Sequence, residues 1–269
     1  MFRHKKRWGQ VFLKNKRIQE RIAEYINLLD VKNLLEIGPG EGAITQYINH
    51  EFKKFSLVEI DSYLVGLLRK RYPNVNIILG DFLNLDLEDL FLERSGGLIF
   101  GNIPYYITSP ILRKFSESKS FSQAVFMVQK EVFESITSLP KGRKYTPFTV
   151  FLQTISDIKR VLNVGKENFV PVPKVDSTVI HLTKKNTKIL SYLDEYSYFL
   201  KKSFFMPRKK LVNNWKKFLS SEAIEEIFAE YNMDNSVRPD EISSDLYEKI
   251  FLGGVGKDYF QNLFQSLKF

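Results

Sequence analysis

The chain has 269 residues, of which 43% are hydrophobic and 26% charged, and this composition excludes wholesale disorder. Forty lysines and arginines outnumber 31 aspartates and glutamates, so the net charge of +9 favours a polyanionic partner over a small neutral one. The sequence contains no cysteine, which excludes a disulfide scaffold and zinc-thiolate sites and suits a reducing cytoplasm.

No apolar run approaches the roughly 18 residues that are needed to cross a bilayer. The basic N-terminus is followed by an apolar stretch of only three residues, 11–13, which is too short for a signal peptide. We therefore expect a cytoplasmic protein with no membrane partner.

Predicted helices and strands alternate along the first two thirds of the chain. An amphipathic helix is predicted over 17–29, and further helices over 43–50 and 63–71. Strands are predicted over 34–37, 55–61, 75–79, 98–102 and 124–128, with later ones near 157–164 and 177–183. This alternation is typical of an α/β fold with a parallel sheet that is covered on both faces.

The pattern of polar and apolar residues changes at about residue 186. From there to the end the periodicity is helical, with Pro207, Pro239 and Gly253 as breaks. The sequence therefore predicts an α/β domain over 1–185 and a small helical domain over 186–269.

A glycine-rich turn, 38–42, follows the first strand of the predicted sheet and is the first candidate for a ligand site. Gly38 and Gly40 would let a ligand approach the backbone, because no Cβ stands in the way. Glu59 ends the next strand, where a carboxylate can accept hydrogen bonds from both hydroxyls of a ribose. Asp81 follows the third strand and can accept one from the exocyclic amine of an adenine. Each acid alone could be a solvated strand end; together they predict a pocket for an adenosine-bearing cofactor.

Both NAD and S-adenosylmethionine contain adenosine, and the acidic residues at the turn indicate which of the two cofactors the site would bind. A helix N-terminus that binds a dinucleotide receives a pyrophosphate. Glu41 within the turn and Glu36 just before it would repel a diphosphate but tolerate a sulfonium cation. The pattern therefore favours S-adenosylmethionine, whose product after methyl transfer is S-adenosylhomocysteine.

The segment 102–105, Asn-Ile-Pro-Tyr, follows the fourth strand and suits methylation of an adenine amine. The side-chain oxygen of Asn102 and the backbone carbonyl of Pro104 can each accept one N–H of that amine. Holding both hydrogens frees the nitrogen lone pair for attack on a methyl group, and positioning supplies the rate without a strong base. Tyr105 can stack on a base that has been turned out of its helix.

These motifs occur in an order that resembles one known family. They are 9–13, 36–42, 59–61, 80–81, 102–105, 126–132, 169–177 and 238–243. The chain resembles the ribosomal RNA adenine dimethyltransferases over essentially its whole length, and within them the 16S type. The resemblance implies a Rossmann-like class I S-adenosylmethionine-dependent methyltransferase domain with a small all-helical C-terminal domain. It further implies transfer of four methyl groups to two adjacent adenosines in the 3′-terminal hairpin loop of 16S ribosomal RNA in the 30S particle, as part of ribosome biogenesis.

The resemblance also implies roles for individual positions. The cofactor contacts would be Val11, Leu13, Gly38, Gly40, Glu59, Ile60, Asp81, Phe82 and Asn102. Phe169 would face the target adenine opposite Tyr105, although the residue pattern alone would make Phe169 a packing residue. Two positions depart from the family: Val11 stands where it usually has Asn, and Tyr106 replaces a second Asn. The Val11 side chain therefore cannot hydrogen-bond the cofactor, whereas its backbone can.

Basic residues occur in three clusters that suit phosphate contacts along folded RNA. The RNA-binding candidates are Arg7, Arg143, Lys144, Arg208, Lys209 and Lys210.

The three histidines are scattered along the sequence, so we assign no metal site. We expect a monomer, because the sequence indicates no large apolar patch.

Two other functions remain open on the sequence alone. The related 23S ribosomal RNA methyltransferases that confer macrolide resistance share every pocket motif, but the length, the residues 175–177 and the larger helical tail favour the 16S type. A non-catalytic RNA-binding assembly or transcription factor on the same scaffold would have no need of Glu59, Asp81 and Asn102.

Overall fold

The computed structural model describes residues 11–49, 54–90, 96–104 and 107–260. The chain divides into two compact units. Unit 1 comprises 1–133 and 158–184, and unit 2 comprises 134–157 and 185–269.

Unit 1 is built on a sheet of seven strands in the order β4-β3-β2-β5-β6-β9-β7. Its strands are β2 (Asn33–Ile37), β3 (Lys54–Glu59), β4 (Asn76–Leu79), β5 (Gly97–Asn102), β6 (Phe121–Gln129), β7 (Ser156–Val164) and β9 (Ser177–Lys184). Two short strands, β1 (Phe12–Leu13) and β8 (Phe169–Val170), pair separately and antiparallel. The centre of the sheet is buried, because β2 and β5 are covered on both faces, and its buried residues include Asn33 and Glu36 of β2.

The prediction of a parallel sheet is confirmed for β2 to β6 and wrong for β9. Strand β9 runs antiparallel to β6, with Val125 opposite His181. A parallel strand would need a long, usually helical crossover to enter the sheet. Only residues 165–176 separate β7 from β9, and they hold one 3₁₀ turn and β8 but no α-helix.

The helices associated with unit 1 are α1 (Lys16–Asn27), α2 (Ser62–Arg71), α3 (Leu87–Leu90), α4 (Thr108–Glu117) and the start of α5 (Lys130–Ile136). The helix predicted over 43–50 is wrong, because the described part of this segment contains only one 3₁₀ turn, Thr45–Tyr47. Gly42 has a φ of +82°, outside the helical region, and Ile48 is extended. Between these two residues there is room for a single turn.

Unit 2 is helical: α6 (Pro147–Ile155), α7 (Leu193–Ser203), α8 (Leu211–Trp215), α9 (Ser221–Glu230) and α10 (Ser244–Gly256). Its core is aromatic, with Trp215, Tyr196, Phe199 and Phe251 fully buried. Helix α6 belongs here because Thr154 shares a 2.9 Å hydrogen bond with the Tyr196 hydroxyl. The compact units therefore differ from the sequence division after residue 185, since 134–157 packs with the C-terminal helices.

Gly101 of β5 is required by the sheet itself. A Cβ at this position would lie 2.4 Å from the carbonyl oxygen of Ile37 on β2, and neither backbone can move without breaking the ladder. We expect Gly101→Ala to lower the free energy of unfolding by about 3 kcal/mol or more, measured by urea denaturation.

The control for this substitution is Gly66→Ala in α2. A Cβ at Gly66 meets no atom within 4 Å. We expect this variant to gain about 0.5–1 kcal/mol, because alanine restricts the unfolded chain and favours the helix. A Gly101→Ala protein within about 1 kcal/mol of the wild type would contradict the register of β5 against β2.

Candidate active site

The candidate site lies at the carboxyl ends of the central parallel strands. Strand β2 lies between β3 and β5. The chain passes from β2 to β3 and β4 on one side and then crosses to β5 on the other side, and this reversal creates a crevice at the edge of the sheet. A cleft there is lined by Val11, Phe12, Leu13, Glu36, Gly38, Pro39, Gly40, Ala43, Ile44, Glu59, Ile60, Asn102, Ile103 and Pro104. Seven of the nine predicted cofactor contacts, all but Asp81 and Phe82, are among these residues.

The glycine turn after β2 forms the floor of this cleft. Gly38 and Gly40 have φ values of +61° and +60°, which L side chains rarely adopt. A Cβ on Gly40 would lie 2.8 Å from the ring of Phe12, whereas one on Gly38 would meet nothing within 4 Å. Gly40 therefore permits the close packing of Phe12, and Gly38 leaves open space for a ligand.

Glu59 is a buried carboxylate that is held in place by backbone donors. Its Oε2 accepts the N–H of Gly40 at 3.1 Å, and its Oε1 accepts the N–H of Asp61 at 3.0 Å. Burial raises the pKa of the Glu59 carboxyl, and these two hydrogen bonds act in the opposite direction. The carboxylate is thus oriented by the backbone without a ligand, and the side chain lines the cleft.

Glu36 is the second acid of the cleft, and it is 2% exposed. Its Oε2 accepts a 2.6 Å hydrogen bond from the Thr45 hydroxyl. Burial raises the pKa of Glu36 to about 8, and the nearby charge of Glu59 adds to the effect. The side chain is therefore mostly protonated at neutral pH, and a cation in the cleft would favour its ionised form.

This raised pKa predicts how stability depends on pH. Between about pH 4.5, where Glu36 ionises in the unfolded chain, and about pH 8, the folded state retains the proton that the unfolded state has lost. The free energy of unfolding should therefore fall as pH rises through this window. We expect Glu36→Gln to show a smaller fall than the wild type in urea titrations at pH 5, 6, 7 and 8. Parallel curves for the two proteins would contradict the raised pKa.

Asn102 ends β5, and a backbone carbonyl fixes the orientation of its amide. The Asn102 Nδ2–H donates to the carbonyl oxygen of Val11 at 2.8 Å. A carbonyl can only accept, so the amide nitrogen must face Val11 and Oδ1 must be on the other side. The side chain consequently offers an acceptor oxygen to the cleft. Val11 contributes through its backbone, so an Asn at this position is not needed for the contact.

Pro104 also lines the cleft, and its carbonyl oxygen accepts the N–H of Ile107 at 3.1 Å. One lone pair of that oxygen remains for a second donor. Tyr105, the predicted stacking residue, lies outside the described residues.

The ring of Phe169 is buried, whereas its predicted role against the target adenine needs an exposed face. Phe169 pairs with Leu13 in the small β1–β8 sheet and is 0% exposed, within a hydrophobic cluster that includes Leu13. Burial of a whole phenyl ring stabilises the fold, and a ring in this position has no face to offer a base. This burial agrees with the residue pattern, which alone makes Phe169 a packing residue, and stacking of its ring on the target adenine stays a prediction of the resemblance. A stacking role would require the cluster to open.

Asp81 and Phe82 follow β4, next to β3. The Gly80 N–H donates to the backbone carbonyl of Glu59 at 3.0 Å, which ties this loop to the end of β3. Asp81 is half-buried and caps the 3₁₀ turn Phe82–Asn84 by accepting the Leu83 N–H at 2.9 Å. The Phe82 ring is buried, so only its backbone is available to a ligand.

Several contacts of the site were not found from the sequence. They are the Thr45–Glu36 hydrogen bond, the packing of Phe12 on Gly40 and the Val11–Asn102 bond. No sequence signal marks Thr45, because a threonine after a glycine turn is common. The pairing of residue 11 with residue 102 is a contact over 91 positions that no local pattern can reveal.

Unit 2 carries the described basic candidates. Arg143 is exposed, and Lys144 forms an ion pair with Glu134. Arg208, Lys209 and Lys210 are all exposed in the loop before α8. Arg7 lies outside the described residues.

The chain is similar in sequence to known ribosomal RNA methyltransferases. The sequence model of a family described as "Ribosomal RNA adenine dimethylase" matches residues 1–252. A "Ribosomal RNA small subunit methyltransferase A" of Malacoplasma penetrans is 36% identical over 245 residues, which cover 91% of this chain and 90% of that protein.

Two solved structures have a similar fold. A dimethyladenosine transferase from Plasmodium falciparum has a TM-score of 0.80 at 24% identity, over 92% of this chain and 98% of that one. The 23S rRNA methyltransferase ErmE has a TM-score of 0.70 at 23% identity, over 90% of this chain and 98% of that one. At these identities the two structures establish the fold, which agrees with the α/β class that was predicted.

Proposed function

The chain belongs to the ribosomal RNA adenine dimethylase family, and we propose that it dimethylates two adjacent adenosines in the 3′-terminal hairpin loop of 16S ribosomal RNA. Membership makes it an S-adenosylmethionine-dependent methyltransferase. The proposed substrate is the assembling 30S particle, so the protein would act in small-subunit biogenesis. It would work in the cytoplasm, as a monomer.

The observation that carries the proposal is the orientation of the Asn102 amide by the Val11 carbonyl. That contact presents Oδ1 to the cleft that also contains Glu59 and the glycine turn. An acceptor at this place is what an adenine amine requires from the protein.

The residues of the cleft fit the cofactor. The open space at Gly38 admits a ligand against the backbone, and Glu59 offers a fixed carboxylate for ribose hydroxyls. Glu36 is an acid that a neighbouring cation would ionise, which suits a sulfonium. When bound, S-adenosylmethionine supplies an electrophilic methyl group.

The chain's own part in the reaction is to hold the target amine. The Asn102 Oδ1 and the Pro104 carbonyl would each accept one N–H, drawing both hydrogens to one side of the nitrogen. The lone pair then leaves conjugation with the ring and becomes available on the opposite side. Positioning and hydrogen bonding of this kind lower the barrier without a base that removes a proton beforehand.

The choice of 16S over 23S RNA rests on the relatives. The protein from Malacoplasma penetrans that is named for the small subunit matches 91% of this chain at 36% identity. ErmE, named for 23S RNA, is similar at 23% identity and supports the fold alone.

An equimolar mixture of unmethylated 30S and 50S subunits, given labelled S-adenosylmethionine, tests this choice. We expect the label in 16S RNA; label in 23S RNA would favour the resistance-type function. A binding-only factor would label neither RNA, and calorimetry with S-adenosylmethionine would then give no heat.

The basic loop 205–210 supports the RNA contact. Arg208, Lys209 and Lys210 are exposed there, and the neighbouring Phe205 is 65% exposed with the Lys217 ammonium 4.4 Å from its ring centre. Cations of this kind can neutralise phosphates, and an exposed aromatic ring can stack on an unpaired base.

No helix among the described residues is long and apolar enough to span a membrane.

Neutralising the loop should weaken RNA binding in a salt-dependent way. We expect the triple variant Arg208→Ala, Lys209→Ala, Lys210→Ala to bind 30S subunits less tightly and to show a shallower dependence on salt, by about 0.9 in slope for each phosphate that the loop no longer neutralises. The control replaces three exposed lysines elsewhere in unit 2: Lys188, Lys201 and Lys249. Equal losses of affinity in both triple variants would mean that only net charge matters.

A further inference from the structure

Lys114 of α4 forms a tight contact with the loop that follows β4. Its Nζ donates to the carbonyl oxygens of Leu83 at 2.9 Å and Leu85 at 2.5 Å. The same ammonium lies 5.8 Å from the ring centre of Phe82. One partly buried cation thus contacts three residues of the segment 82–85.

The segment that Lys114 holds is the one that Asp81 begins. The Leu83 N–H donates to the Asp81 carboxylate at 2.9 Å, while the Leu83 carbonyl accepts from Lys114 at 2.9 Å. Both backbone groups of one residue are therefore fixed, one by the acid and one by the ammonium. Since carbonyls at the end of a helical turn carry partial negative charge, a cation is the group that stabilises them.

We propose that Lys114 is a positioning residue for cofactor recognition, which acts by holding the Phe82–Asn84 turn so that the Asp81 carboxylate meets the amine of the cofactor adenine. This rests on the proposed function, in which Asp81 reads that amine. Asp81 Oδ1 accepts the Leu83 N–H at 2.9 Å, and Oδ2 accepts the Asn84 Nδ2–H at 3.5 Å. The oxygen with the longer and weaker contact, Oδ2, is the one that would accept from the adenine. Without the ammonium, the turn loses two hydrogen bonds and the carboxylate loses its fixed direction.

The position of α4 gives this contact a second consequence. The helix begins at Thr108, shortly after Asn102 and Pro104. Lys114 therefore ties the element that follows the amine-binding residues to the loop that would hold the cofactor adenine. One side chain connects the two halves of the site.

The test measures binding, not turnover, with two ligands. S-adenosylhomocysteine carries the adenine amine, and S-inosylhomocysteine carries a carbonyl oxygen in its place. We would measure both dissociation constants by calorimetry for the wild type, Lys114→Met, Lys114→Arg and the control Lys70→Met. Methionine retains the apolar stem of the lysine, and Lys70 is an exposed lysine of α2 with the same charge. Thermal unfolding of each variant checks the fold.

We expect the wild type and Lys70→Met to prefer the adenosyl ligand equally. The preference should fall by about tenfold or more in Lys114→Met, because it depends on one charge-assisted hydrogen bond. Lys114→Arg, which keeps a donor cation, should restore part of it. In Asp81→Asn, the carboxylate that would bind the adenine amine is already replaced. Adding Lys114→Met to this variant should therefore lower the preference for the adenosyl ligand little further.

Two results would overturn the inference, and they are distinguishable. If Lys114→Met weakens both ligands by the same factor, the lysine is a structural clamp with no part in recognition. If the wild type itself shows no preference for the adenosyl ligand, Asp81 does not bind the adenine amine, and the proposed cofactor site is wrong rather than the role of Lys114.

Discussion

Asn102→Ala should abolish measurable methyl transfer to 30S subunits, a loss of about a thousandfold or more in turnover. The amide supplies the acceptor that holds the target amine, and alanine has none. Because the Val11 carbonyl would lose only one hydrogen bond at the rim of the cleft, the fold should survive. Binding of 30S subunits, measured by filter binding, should stay near the wild-type value. S-adenosylmethionine, for which Asn102 is one of nine predicted contacts, should bind within about tenfold of the wild type by calorimetry.

Asn102→Asp sharpens this prediction. An aspartate at this position keeps two acceptor oxygens but cannot donate to the Val11 carbonyl, so its carboxylate is no longer oriented. We expect turnover between that of the wild type and that of Asn102→Ala. Asn186→Ala, at an exposed asparagine of unit 2, is the matched control and should be fully active. Retained turnover in Asn102→Ala would remove Asn102 from the mechanism.

Glu59→Gln should weaken binding of S-adenosylmethionine by about 100-fold, because hydrogen bonds to a buried charged group are among the strongest. Glu59 now accepts two backbone N–H groups, one from Gly40 and one from Asp61. Glutamine has a single acceptor oxygen and would place its amide nitrogen against one of these donors. The cleft would therefore lose both the ribose acceptor and the geometry of the glycine turn.

Calorimetry with S-adenosylmethionine checks this value, and Glu24→Gln, at an exposed glutamate of α1, is the control. The Asn102→Ala variant makes the comparison informative, since it should lose far more turnover than cofactor affinity, whereas Glu59→Gln should lose affinity first. Affinity within about threefold of the wild type in Glu59→Gln would place the ribose elsewhere.

The sequence predicts the centre of this site well. Glu59 and Asn102 end parallel strands, and such strands bring their carboxyl ends to one edge whatever the loops between them do. A left-handed turn after β2 is likewise encoded locally, by Gly38 and Gly40. The position of the cleft, which depends on strand order and residue type, could therefore be located before the structure.

Contacts between distant segments could not be located in the same way. The pairing of residues 12–13 with 169–170 is indicated by no periodicity in either dipeptide, although the residue pattern favoured packing for Phe169. The bond between Val11 and Asn102, and the two bonds from Lys114, likewise depend on tertiary packing. The antiparallel direction of β9 could have been inferred from the absence of an α-helix in 165–176.

The most direct test of the proposed function is to map the methylated nucleotides. Purified protein, unmethylated 30S subunits and labelled S-adenosylmethionine are incubated together, and the 16S RNA is digested and analysed by mass spectrometry. We predict N6,N6-dimethyladenosine at two adjacent positions of the 3′-terminal hairpin loop, and at neither position with Asn102→Ala. Label confined to other nucleotides, or its absence from 16S RNA, would contradict the proposed function.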